Sequence, residues 1–184
     1  GKEAAPQLYD LTALQVDCNR RYGFSAEKTL QTLQSLYEKK LTTYPRVDTR
    51  YLTDDIYAKC PGILSALTDY AQFVAQLKES PLPKSSRVFN SAKVTDHHAI
   101  IPTGQHPKTL TQSEQQVYDL ICRRFIAVFL PDCQFSTTAV LGKCGDVGFK
   151  ATGKEILLQG WKAVYASLSQ HDDESEKHEQ ILPS

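Results

Sequence analysis

Tyr44 has the most reactive company of any residue in this sequence. The run Thr42-Thr-Tyr-Pro-Arg-Val-Asp-Thr-Arg-Tyr-Leu52 sets its phenol beside Pro45, Arg46, Asp48 and Arg50. A free phenol ionises near pH ~10 and is a weak nucleophile at neutrality. Its attack on a phosphodiester requires nearby positive charge to stabilise the phenolate and the pentacoordinate transition state, and Arg46 and Arg50 have the right sign for that. The same residues also fit a plainer arrangement, with Tyr44 packed beneath a proline turn and Arg46 paired to Asp48 at the surface. A second segment, Thr95-Asp-His-His-Ala-Ile-Ile-Pro-Thr103, places His97 and His98 before a short apolar run closed by Pro102, a pattern of extended or turn backbone. Histidine can donate a hydrogen bond, carry charge or shuttle a proton near neutral pH. One packed and one solvated imidazole is the simpler alternative.

Taken in order, five blocks carry a family resemblance: Leu8-Tyr-Asp-Leu-Thr-Ala-Leu-Gln15, Tyr22-Gly-Phe-Ser-Ala26, Gln34-Ser-Leu-Tyr-Glu38, Thr43-Tyr-Pro-Arg46 and His97-His-Ala-Ile-Ile-Pro-Thr103. Together they resemble type IA DNA topoisomerases, and the Tyr-Pro-Arg and His-His-Ala-Ile-Ile-Pro forms resemble the topoisomerase III branch more than the topoisomerase I branch. The similarity runs from about Leu8 to about Tyr165. It implies a catalytic set of Tyr44 as the nucleophile that retains the 5′-phosphate, Arg46 as the guanidinium on the attacked phosphate, and His97 at the DNA backbone near the scissile bond. Asp48, Arg50, His98 and Thr103 are the weaker candidates, for DNA contact. Two departures stand out: His98 replaces an acidic residue of the topoisomerase I branch, and Val47 replaces a threonine common among relatives.

The resemblance also implies a fragment. Type IA enzymes are several times longer than 184 residues, and no Asp-x-Asp pair with a partner glutamate in the Toprim arrangement occurs here. Mg2+, the expected cofactor, is then held by that absent domain, and the fragment alone is expected to be inactive. Its expected partners are single-stranded DNA and the remaining domains of the same polypeptide, with neither a membrane nor ATP. No glycine-rich phosphate loop is present.

Composition is ordinary for a globular protein, at 41% hydrophobic and 23% charged residues. A net charge of zero speaks against a nucleic-acid binder until the acids are located. Residues 170–184 hold five of them (Asp172, Asp173, Glu174, Glu176, Glu179) and one base, Lys177, which leaves 20 basic against 16 acidic groups before them. Arg20, Arg21, Lys39, Lys40, Arg46 and Arg50 concentrate near the tyrosine, although each cluster also fits a solvated helix face. The five cysteines are odd in number and form no Cys-x-x-Cys pair, which fits reduced thiols in a cytoplasmic, nucleoid-associated protein rather than zinc or disulfides. No apolar run is long enough to span a membrane. A non-catalytic helical module, in which Tyr44 stacks on a base of single-stranded DNA, is the alternative function.

The expected fold is mainly α-helical, with a C-terminal β extension belonging to the arch or gate domain. The expected division is a tyrosine domain over 8–133, a β segment over 134–168 and an acidic linker or tail over 169–184. Apolar spacing predicts a helix over about 11–22, begun at Asp10 or Thr12 and stopped by Gly23. Ser25 caps a second, with Leu30, Leu33 and Tyr37 on one face, which delivers the chain to Tyr44. A short helix after Thr53 and a longer one from Pro61 carrying Leu64, Leu67, Tyr70, Val74 and Leu77 follow. Thr111-Gln-Ser-Glu114 reads as a capping box for a fifth helix. Alternation from Phe135 to Leu141, a turn at Gly145-Asp146 and a return from Val147 predict a hairpin, with a further strand over Lys154–Gln159.

Overall fold

A computed structural model describes residues 1–168, so the acidic stretch expected over 169–184 lies outside the described residues. Strand β1 (Lys2–Glu3) precedes helices α1 (Leu11–Tyr22), α2 (Ala26–Glu38), α3 (Cys60–Ala66), α4 (Ala71–Val74) and α5 (Gln112–Ala127). Strands β2 (Cys133–Cys144) and β3 (Val147–Leu158) follow, and short 3-10 turns fill several connections. The chain is mainly helical with a small antiparallel sheet, and no helix among the described residues is long and apolar enough to cross a membrane.

The caps expected of the long helices form. Asp10 accepts the Ala13 amide at 2.7 Å to start α1, and Gly23 ends it at φ 68 with its amide on the Asn19 carbonyl. Ser25 accepts the Lys28 amide at the start of α2. The buried stripe of α2 is Thr29, Thr32, Leu33 and Leu36, however, rather than Leu30, Leu33 and Tyr37. Spacing by three and four selects either set, and contact with α5 decides between them, rotating Tyr37 outward to 39% exposure.

At α5, Thr111 and Glu114 exchange hydrogen bonds as a full capping box. Glu114 also takes the Lys39 ammonium at 2.7 Å and the Ser35 hydroxyl at 3.0 Å, both from the end of α2. Burial alone would push its carboxyl up, but the donors from Lys39, the Thr111 amide and Ser35 together outweigh burial and hold it at about 2.

The helix expected from Pro61 is broken. α3 ends at Leu67 (φ −82, ψ 66), and a 3-10 turn over Thr68–Tyr70, α4 and a second 3-10 turn over Ala75–Lys78 follow. Thr68 and Asp69 favour caps and turns over helix interiors. The break lets the Tyr70 hydroxyl donate to Asp119 of α5 at 2.6 Å while Leu64, Leu67 and Val74 stay in the core.

Beneath these helices lies a buried polar knot. Arg124 on α5 donates to the Gln7 carbonyl (2.8 Å), the Tyr165 hydroxyl (3.0 Å), the Tyr9 hydroxyl (3.1 Å) and Asp17 of α1 (3.0 Å). The Tyr9 hydroxyl donates to the same Asp17 carboxylate at 2.5 Å. One guanidinium therefore joins the N-terminal segment, α1, α5 and the turn over Gly160–Tyr165. Desolvation drives the phenol of Tyr9 well above its ordinary range.

The hairpin registers Gln134 with Leu158 and Cys144 with Val147 across a two-residue turn in which Gly145 has φ 63. Lys154–Leu158 completes β3 and is not a separate strand, because the register continues from Cys144↔Val147 with a single irregularity at Gln134/Phe135. The two-residue β1, too short to show alternation, pairs at the hairpin base through Lys2↔Gln134. Gly160 then turns the chain back to the helices at φ 56. A Cβ there would lie 2.2 Å from the Pro131 carbonyl oxygen, so glycine is required for both conformation and space.

Candidate active site

Tyr44 is delivered by the end of α2. Lys40 adopts φ 62, uncommon for a residue with a side chain, and the Thr103 hydroxyl donates to its carbonyl at 2.6 Å to hold that turn. The chain then runs antiparallel to the histidine segment. Thr42 bridges Pro102, the Thr43 amide donates to the Ile101 carbonyl at 3.0 Å, and the Thr43 hydroxyl accepts the Ile101 amide at 3.0 Å while donating to the Ala99 carbonyl. The apolar run Ala99–Pro102 is buried, which fixes this pairing in the core.

Two segments 53 residues apart thereby meet at their reactive side chains. The His97 ring stacks on Tyr44 with centroids 4.1 Å apart and planes 26° from parallel. Tyr37 meets Tyr44 edge-to-face at 5.7 Å and 87°. No described residue hydrogen-bonds the Tyr44 hydroxyl, so the phenol oxygen is open to a ligand.

From Pro45 to Arg50 burial alternates: Pro45, Val47 and Thr49 face inward, while Arg46, Asp48 and Arg50 face solvent. The Val47 carbonyl accepts the Leu11 amide at 3.0 Å, docking this segment on the start of α1. The two arginines differ in use. Arg50 donates to Asp10 at 3.3 Å, whereas Arg46 makes no ion pair among the described residues. The Arg46–Asp48 surface pair of the plainer alternative does not form among the described residues.

An open groove of about 950 Å3 runs over Tyr44, lined by Arg46, Val47, Asp48, Thr95, Asp96, His97 and the α1 start at Asp10–Thr12. A shallower extension past Asp48 and Thr95 reaches Arg50, Tyr51 and Lys93. There Gln7 donates to the Tyr51 hydroxyl at 3.2 Å with Lys93 at 3.4 Å, and these two donors lower the Tyr51 pKa. Another cleft, of about 580 Å3, lies between the N-terminal segment and the Pro81–Val88 loop; its lining has no nucleophile beside a base, so it is not the chemical candidate.

Of the expected residues, Tyr44, Arg46, Asp48 and His97 share the main groove and Arg50 borders its extension. His98 turns away, with Nδ1 2.7 Å from the Ala99 carbonyl, and Thr103 spends its hydroxyl on the α2 end. Sequence reasoning passed over Tyr37, Thr43 and Asp10 as functional neighbours. All three lay inside the blocks of resemblance without a stated functional task, and Asp10 carried a capping signal besides. Among the described residues no three His, Cys, Asp or Glu side chains come together as a metal site.

This geometry sits in a chain whose whole length, residues 1–184, matches the family model described as DNA topoisomerase. The chain belongs to the type IA DNA topoisomerase family. It is 44% identical to DNA topoisomerase 3 of Bacillus subtilis over 100% of the chain and 26% of that protein. To DNA topoisomerase 3 of Bacillus licheniformis it is 46% identical over 99% of the chain and 26% of that protein. These matches place it on the topoisomerase III-like branch, and it spans about a quarter of the length of those relatives. Among solved structures, full-length topoisomerase I from Thermotoga maritima matches 90% of the chain and 28% of its own, with a TM-score of 0.63 and 25% identity. The topoisomerase segment is thus a mainly helical unit around a half-buried, stacked tyrosine.

Proposed function

We propose that this segment supplies the nucleophilic half of a type IA topoisomerase active site, cutting and rejoining one DNA strand without ATP. The observation that carries the reading is the unpartnered Tyr44 hydroxyl, held between His97 and Tyr37 in a groove with the unpaired Arg46. In cleavage, the Tyr44 oxygen attacks the phosphorus and loses its proton. The bond from phosphorus to the 3′-oxygen breaks, and that oxygen takes up a proton to leave as the 3′-hydroxyl. The 5′-phosphate stays on the tyrosine as an ester that conserves the bond energy, so attack by the 3′-hydroxyl reverses each step after strand passage. Arg46 neutralises the attacked phosphate through a bidentate contact that lysine cannot copy. His97 both stacks on the phenol and offers a ring nitrogen to the DNA backbone.

Mg2+ belongs, on this reading, with Toprim carboxylates outside the segment, which makes the segment alone inactive. The single-stranded DNA path follows the groove toward Tyr51 and Lys93, and the exposed β2–β3 hairpin belongs to the gate domain.

The test is made with the full-length protein, Mg2+ and a labelled single-stranded oligonucleotide, scored on a denaturing gel. A protein-linked product that disappears in Tyr44→Phe is expected. Cleavage persisting in Tyr44→Phe removes Tyr44 from the role. No adduct in either protein, with binding intact, favours a DNA-binding module in which Tyr44 only stacks on a base.

A further inference from the structure

Tyr37 has no evident reason to stand where it does if α2 serves only the core. The buried stripe of that helix is complete without it, and an aromatic ring is left 39% exposed in the last turn. Its hydroxyl makes no hydrogen bond to the described residues, so nothing polar holds it there. Its one ring contact among the described residues is Tyr44, at 5.7 Å and 87°.

We infer that Tyr37 is a positioning residue for Tyr44, fixing the phenol's orientation together with His97 so that its oxygen faces the groove. This rests on the reading of Tyr44 as nucleophile. The two rings restrain different motions. His97 stacks on a face of Tyr44 and resists tilting of the ring, while the perpendicular contact with Tyr37 resists its swing about the first side-chain torsion. Each restraint comes from a separately anchored segment. His97 precedes Ala99, whose amide donates to the Tyr51 carbonyl at 2.9 Å, whereas Tyr37 is fixed by its helix, its carbonyl accepting the Lys40 amide at 2.9 Å. The left-handed turn at Lys40 folds the chain back so that Tyr44, seven residues on, meets the helix it has just left.

A residue acting in this way changes the rate of the covalent step and leaves DNA affinity alone, because misorientation of a nucleophile is felt in the transition state. Because the contact is made by the ring and not the hydroxyl, phenylalanine should replace tyrosine at 37.

The experiment compares wild type, Tyr37→Ala and Tyr37→Phe in the full-length protein, with Tyr44→Phe as the reference for the nucleophile. Adduct formation at saturating single-stranded oligonucleotide and the dissociation constant for that oligonucleotide are measured separately. In parallel, fluorotyrosine placed at position 44 reports the ring environment by fluorine NMR. Tyr37→Ala is expected to slow adduct formation about three- to tenfold, the worth of one aromatic pair. Its affinity should stay within about twofold of wild type, with the rate restored by Tyr37→Phe. The fluorine resonance should shift or broaden in Tyr37→Ala and return in Tyr37→Phe. An unchanged rate with an unmoved resonance overturns the inference. So does a loss of affinity equal to the loss of rate, which would make Tyr37 a DNA contact. If wild type forms no adduct, or Tyr44→Phe still cleaves, the nucleophile reading fails by itself and the resonance still decides whether Tyr37 fixes the ring.

Discussion

In the helical body Leu33, Leu36, Leu120, Ile121 and Phe125 are sealed from solvent, whereas on the β2–β3 hairpin Leu141, Val147 and Leu157 stand 79%, 70% and 63% exposed. Both regions are rich in apolar side chains. The body turns them toward one another and ties its helices with buried polar links at Arg124 and Glu114. The hairpin satisfies its backbone between its own two strands and, beyond a base packed at Cys133–Ser136, leaves most of its side chains uncovered, with two-residue β1 as its sole strand neighbour among the described residues. Two twelve-residue strands without a packed face are marginal by themselves, and an open edge invites pairing. Lys143, Lys150 and Lys154 alternate along the register on the face that carries Leu141, a distribution that discourages such pairing. Stability is therefore concentrated in the body, and the hairpin's outer apolar positions stand open to solvent.

That contrast can be broken by substitution. The largest expected effect is Arg124→Ala, which strips the guanidinium from the largely buried carboxylate of Asp17 and should cost about 3–5 kcal/mol by chemical denaturation of the chain. A smaller loss would show that water replaces it. Next comes Gly160→Ala, at the junction of the two regions. The clash with the Pro131 carbonyl and the positive φ together should cost roughly 3 kcal/mol, measured as a drop in denaturation midpoint.

Glu114→Gln should cost about 2 kcal/mol at neutral pH, a figure reduced for the solvent that reaches Lys39. Here the sign follows from the depressed carboxyl. Because folding holds it at about 2, below the ordinary 4.5, its contribution is complete above that ordinary value and fades as pH falls toward 2. Denaturation midpoints of wild type and Glu114→Gln should accordingly converge on acidification. The smallest effect is expected at the hairpin, where Leu141→Thr should change the stability of the 184-residue chain by less than about 0.5 kcal/mol. A loss comparable to that at Glu114 would show that the hairpin packs on the body.

The difference between regions also explains what could be read from the sequence. Asp10, Ser25, Thr111 and Gly23 announced their helix ends because capping is local chemistry. The Gly145-Asp146 turn announced the hairpin for the same reason. The face of α2 was not legible, since Leu30 and Tyr37 fit helical spacing as well as Thr29 and Leu36 do, and contact with α5 makes the choice. The break at Leu67 and the strand β1 likewise depend on partners distant in sequence. At the site, Tyr44, Arg46 and His97 were legible through their motifs, and the structure adds the register that unites them. The commitments of Thr103 to the α2 end and of His98 to Ala99 are tertiary facts that residue type alone does not disclose.

The alternation from Pro45 to Arg50 makes the tyrosine segment a frame that tolerates no change of length. Deleting or inserting one residue between Tyr44 and Val47 would exchange the two sides of this extended segment, turning Val47 and Thr49 to solvent and driving Arg50 toward the core. The segment is thus protected against length variation by burial and charge together, and a frame error there would abolish the fold before it reached the chemistry.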